Sequence, residues 1–188
     1  ASTLASGAPA NRVFGQQDFV SSLPGTTAAT MKNPVTVFVD TADNLWVADT
    51  LNSRVLKFAA VSSLANGAAA TTVLGQPNFT SSTNSVSTVG MSNPYGVTVD
   101  ANGRLWVADG TNDRVLRFDA AAGLASGAAA SGVLGQLDFV TGTSGTTPQK
   151  MSTPLVVLVD TSGTLFVSDA VNNRILMFEN AAGKTDGA

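Results

Sequence analysis

Apolar residues enter this chain in short dense runs, separated by small polar clusters. In one stretch the runs are PYGVTVD (94–100), RLWVAD (104–109), RVLRF (114–118) and SGVLGQ (131–136). Each is rich in β-branched or aromatic residues and too short for a helix, so each predicts a strand. ANG (101–103) and GTND (110–113) supply the turns between them. Val97, Val99, Leu105, Val107, Val115 and Leu116 make the runs apolar at nearly every position rather than at alternate ones. Strands covered on both faces give that pattern. No segment shows a helical period. The connection DAAAGLASGAAASG (119–132) is rich in Ala, but each of its glycines costs a helix roughly 0.5–1 kcal/mol, so no more than a turn is expected there.

The pattern recurs. NLWVADTLNSRVLKF (44–58), RLWVADGTNDRVLRF (104–118) and TLFVSDAVNNRILMF (164–178) lie sixty residues apart. Leu4, Leu64 and Leu124 begin LASG, LANG and LASG, and Gly15, Gly75 and Gly135 begin GQQDF, GQPNF and GQLDF, at the same interval. Four-stranded units buried on both sides and repeated in line describe propeller blades. The expected fold is all-β: a β-propeller with four-stranded antiparallel blades, three per chain, forming one unit over 1–188 with repeats at about 21–80, 81–140 and 141–180.

Residues 1–20 offer only a fourth strand, NRVFGQ (11–16), and the third repeat supplies only its first three strands, up to Phe178. The tail AAGKTDGA (181–188) resembles AAGLASGA (121–128). Propellers carry about 4–8 blades, so three predict self-association. A homodimer of six blades is the simplest arrangement, with 11–16 of one chain completing the last blade of the other; a homotrimer of nine is a less simple one. A fragment or engineered half of a larger propeller would also read this way.

The pattern P-x-x-V-x-V-D, L-W-V-A-D, x-x-N-x-R-V-L-x-F, standing at 34–58, 94–118 and 154–178, resembles the NHL repeat. The resemblance implies a propeller serving as a binding platform, a surface protein or occasionally a lyase. Departures are visible. The first-strand Gly survives only as Gly96, with Thr36 and Val156 in its place elsewhere; Trp46 and Trp106 become Phe166, and Lys57 and Arg117 become Met177.

Composition narrows the chemistry. There is no His and no Cys, which removes the commonest general base and all thiolate chemistry, and there is one Glu, Glu179. Charged residues make up 12% and the net charge is -3, which argues against a nucleic-acid surface. No apolar run suits a membrane helix. ASTLASGAPANRVFG (1–15) has no signal-peptide pattern, and the sequon at Asn78 occurs in one repeat only, so it reads as chance. The Ser, Thr, Gly and Ala content suits an exported or cell-surface bacterial protein.

Several residue sets could carry chemistry. Asp49, Asn52 and Arg54, with Asp109, Asn112, Arg114 and Asp169, Asn172, Arg174, follow D-x-x-N-x-R. They read as structural: Arg pairing bidentately with Asp across a turn whose left-handed position Asn tolerates. Asp40, Asp100 and Asp160 close the innermost strands, either as Asx turns or as a Ca²⁺ ring. Trp46, Trp106 and Phe166 read as core between blades, and Phe19, Phe79 and Phe139 as loop anchors. Where the repeats differ, Asn33, Asn93, Tyr95 and Thr153 stand at the expected channel mouth, as ligand contacts or plain rim. The resulting expectation is a non-catalytic scaffold or binding module that assembles with itself and takes a peptide, glycan or protein, without a cofactor. The alternative is a metal-dependent propeller hydrolase or lyase with a Ca-type site in the channel.

Overall fold

The computed structural model describes residues 6–187; Leu4 lies outside them. Its strands are β1 (Pro34–Val39), β2 (Leu45–Asp49), β3 (Arg54–Phe58), β4 (Thr72–Leu74), β5 (Pro94–Val99), β6 (Leu105–Asp109), β7 (Arg114–Phe118), β8 (Gly132–Leu134), β9 (Pro154–Val159), β10 (Leu165–Asp169) and β11 (Arg174–Phe178). They form three antiparallel meanders, β1–β4, β5–β8 and β9–β11. This is an all-β propeller architecture, with no α-helix among the described residues. The Ala-rich connections hold one 3₁₀ turn each, at Val61–Ser63, Ala121–Gly123 and Ala181–Gly183.

Each blade is built the same way. Proline opens the first strand, where it need not donate, and pairs with the aspartate that ends the second: Pro34 with Asp49, Pro94 with Asp109, Pro154 with Asp169. The register shifts after each proline. The first strands stand side by side, β1 against β5 and β5 against β9. Gly96 permits the second approach, because a Cβ there would lie 2.7 Å from the Leu155 carbonyl oxygen.

The core lies between blades. Trp46 and Val55 of the first blade pack with Val97, Val107 and Phe118 of the second. Trp106 and Val115 of the second pack with Val157, Val167 and Phe178 of the third. Where a neighbouring blade is lacking, the same repeat positions are open. Val37 is 61% exposed but its counterpart Val97 3%, and Ile175 is 65% exposed but Val115 0%.

Residues 11–16 are not a strand in this chain, because no third strand lies beside them to pair with. They nevertheless hold the place of one. The Val13 carbonyl accepts from Gly67 N–H at 3.1 Å, as Val73 accepts from Gly127 at 2.9 Å. Val13 N–H donates to Asn66, as Val73 donates to Ser126 and Val133 to Asp186. The Phe14 ring lies 5.6 Å from that of Phe58. At the other end, β11 has no fourth strand beside it among the described residues.

Candidate functional site

The D-x-x-N-x-R sets fold into buried locks. Asp109 ends β6 and Arg114 begins β7, with a 3₁₀ turn at Gly110–Asn112 between them. Asp109 Oδ1 accepts the Ser92 N–H at 2.7 Å, and Oδ2 accepts from Asn112 Nδ2 at 2.9 Å and Arg114 Nε at 2.8 Å. The pair is therefore not bidentate. The remaining guanidinium donors take carbonyls of the long loops: Phe139 at 2.6 Å, Ser87 at 3.0 Å and Gly90 at 2.9 Å. Asp49 with Asn52 and Arg54, and Asp169 with Asn172 and Arg174, repeat the arrangement. The left-handed residue is not the asparagine of the motif but the next one, Ser53, Asp113 or Asn173. The asparagine amide instead bridges the lock to a loop carbonyl, as Asn112 Nδ2 does to Ser85. Burial pushes the Asp109 carboxyl up, and Arg114 and the hydrogen bonds pull against it.

The innermost-strand aspartates make Asx turns. Asp40 Oδ1 accepts from Ala42 and Asn44 N–H, Asp100 from Asn102 and Arg104, and Asp160 from Ser162 and Thr164, all at 2.9–3.0 Å. Asp40 and Asp100 also take the indole N–H of Trp46 at 2.9 Å and Trp106 at 3.2 Å. Burial pulls the Asp40 and Asp100 carboxyls upward, but hydrogen bonds, above all from Trp46 and Arg104 respectively, leave both below the ordinary carboxylate value. Asp160 is held low first by the Ser162 hydroxyl and then by the Thr164 N–H. Among the described residues no three acidic side chains converge on one point that could hold a metal ion.

At the channel mouth, Asn33, Asn93 and Thr153 all have left-handed backbones, with φ of 52°, 49° and 52°. Asn93 N–H donates to Ser53 Oγ at 3.3 Å and Thr153 N–H to Asp113 Oδ1 at 2.8 Å, each joining one blade to the turn of the previous one. Tyr95 lies over Gly110, where a Cβ would meet its ring at 2.4 Å. Asn33, Asn93 and Thr153 thus hold turn positions, two of them bonded to the previous blade, and Tyr95 packs on the backbone of its own blade. Phe79 and Phe139 pack against the cores of the first and second blades, as loop anchors should, whereas Phe19 is 54% exposed.

Two repeated features escape a reading of the sequence alone. Met31, Met91 and Met151 are buried against Gly15, Gly75 and Gly135. Gln76 and Gln136 pin the loops through the carbonyls of Ser53 and Thr83, and of Asp113 and Thr143. Their sixty-residue spacing was the available signal. Arg12, which occurs once, had no such signal: it reaches the carbonyls of Val61 and Ser62.

The NHL repeat family matches residues 91–118. Among solved structures, one described as streptogramin B lyase superposes with a TM-score of 0.51 at 19% identity, over 79% of this chain and 38% of that one. A structural-genomics protein of unknown function from Bacteroides thetaiotaomicron superposes with a TM-score of 0.59 at 18% identity, over 87% of this chain and 38% of that one. At these identities the likeness is one of fold, and the chain spans 38% of the length of either structure. No curated protein matches the chain.

Proposed function

From an NHL repeat at residues 91–118 set within a three-blade propeller unit, we propose a non-catalytic scaffold that binds through its blade faces and assembles with itself. One observation carries this reading. Positions buried between blades, such as Val97 and Val115, become broad apolar surfaces at the two ends, in Val37 and Ile175. Exposed apolar faces of this kind mark interaction surfaces. The repeated carboxylates favour the same reading. Asp49, Asp109 and Asp169 hold locks, and Asp40, Asp100 and Asp160 hold turns.

Two copies end to end would supply six blades around one two-fold axis. The test is absolute mass by light scattering on a sizing column across protein concentration. A mass twice the 19.0 kDa of the chain is expected. A single-chain mass at every concentration overturns self-assembly.

A further inference from the structure

The two open ends carry a matched relocation of charge. In the first two blades the third strand holds a cation. Lys57 Nζ donates to the Ala122 carbonyl at 2.6 Å and Arg117 Nη1 to the Ala182 carbonyl at 2.8 Å, each in the following blade. Each also stands by an indole, 5.8 Å from the Trp46 centroid and 6.0 Å from that of Trp106. In β11 the position is Met177, paired across the sheet with Phe166, and both cation and indole are gone.

The acceptor, however, is kept. The carbonyl one repeat before Ala122 is that of Ser62, and it is Arg12 that donates to it. Arg12 occupies the fourth-strand position. Its counterparts Thr72 and Gly132 lie directly across from Lys57 and Arg117. The cation has moved from the third strand to the fourth while its carbonyl has stayed. A cation in both places would set like charges opposite one another. In the second blade the fourth-strand residue is Gly132, where a Cβ would lie 3.1 Å from Arg117 Cζ.

The locks show a second mismatch of the same sense. Arg54 and Arg114 each give Nη1 to the carbonyl of a loop phenylalanine, Phe79 and Phe139. Arg174 gives Nη1 to Thr146 instead, and its side chain is 30% exposed where the other two are 0%. Phe19 is the remaining member of the phenylalanine series, and no described residue donates to its carbonyl.

We infer that Arg12 and Met177 are the specificity-determining pair of a head-to-tail contact between two copies of this chain. Residues 12–14 of one copy add to β11 of the other, Arg12 lies across from Met177, and the Phe19 carbonyl receives Arg174. The inference rests on the self-assembly proposed above and names the residues that make that contact selective. The third strands bearing Lys57 and Arg117 already pair with β4 and β8, and a cation at that position would oppose Arg12, so the open strand with Met177 is the one that the Arg12 strand fits.

The test is a charge-relocation cycle read by sedimentation velocity: wild type, Met177→Lys, Arg12→Thr and the double variant. Both positions are exposed in the single chain, so each variant should fold, which far-UV circular dichroism and thermal unfolding verify. Met177→Lys is expected to weaken self-association about tenfold or more by placing a cation opposite Arg12. Arg12→Thr weakens it less directly, because the intrachain bond to the Ser62 carbonyl that holds residues 12–14 ready for docking is lost. The double variant recreates the Lys57–Thr72 arrangement and returns association to within about threefold of wild type, because the charges no longer oppose. Wild type that stays a single chain throughout overturns the self-assembly reading and this inference with it. Wild type that associates, with unaffected single variants or an unrescued double variant, overturns the Arg12–Met177 inference alone.

Discussion

Replacing Arg114 with Met tests how the locks work. Asp109 and Arg114 are both wholly buried. The change leaves the carboxylate with Ser92 N–H and Asn112 and strips donors from the carbonyls of Phe139, Ser87 and Gly90. Breaking a buried pair from one side costs about 3–5 kcal/mol, a large part of the ~5–15 kcal/mol that typically holds a domain. Urea unfolding at fixed protein concentration measures it. The sign of the pH dependence is fixed as well. Burial raises the Asp109 carboxyl in the folded state, and loss of Arg114 raises it further. A carboxyl whose folded pKa lies above its unfolded value destabilises the protein when ionised, and the penalty lifts as pH falls through the folded pKa. The deficit of Arg114→Met therefore shrinks as pH falls through the variant's raised Asp109 pKa. Asp109→Asn added to Arg114→Met should show coupling of about 1 kcal/mol or more, because the two groups share one network. A deficit below about 1 kcal/mol, the size of a surface pair, or one that grows as the pH is lowered, would refute the reasoning.

Further outcomes follow from single positions. Thr153 is β-branched at φ 52°, where its counterparts are Asn33 and Asn93, so Thr153→Asn should stabilise by about 1 kcal/mol in the same urea assay. Burial, and secondarily the charge of Asp169, raises the Asp113 carboxyl; Asp113→Asn, which keeps an acceptor for Thr153 N–H, should stabilise at pH 7 and lose that advantage as pH falls through the wild-type carboxyl's pKa. Trp106→Phe copies Phe166 into a covered position and loses the bond to Asp100, which should lower stability by roughly 1–3 kcal/mol.

The strands were legible because their signal is local. Val97, Val107 and Val115 sit in dense runs bounded by Gly, Asn and Asp, and each run became a strand. The lock was legible as a repeated Asp, Asn and Arg, but its geometry was not. Which guanidinium nitrogen meets Asp109, and which loop carbonyls take the others, depends on chain 24–27 residues away. The left-handed position was misplaced by one residue for a similar reason. Asn tolerates that conformation as well as any residue, yet the 3₁₀ turn puts it on Ser53, Asp113 and Asn173. Residues 11–16 read as a strand by composition, but a strand also needs a neighbour. Tyr95 drew notice by being unique, and only the backbone at Gly110 shows what it rests on.

The cations of the third strands reach 65 residues forward, from Lys57 to Ala122 and from Arg117 to Ala182. A ribosome adds roughly 5–20 residues each second, so such a stretch takes about 3–13 s to make. During that interval a newborn blade has its hydrogen-bonded strands but not the carbonyl its cation will hold. Blades should then settle in order of birth, each secured by the arrival of the next, and a pause in translation just after Phe118 would leave Arg117 waiting longest.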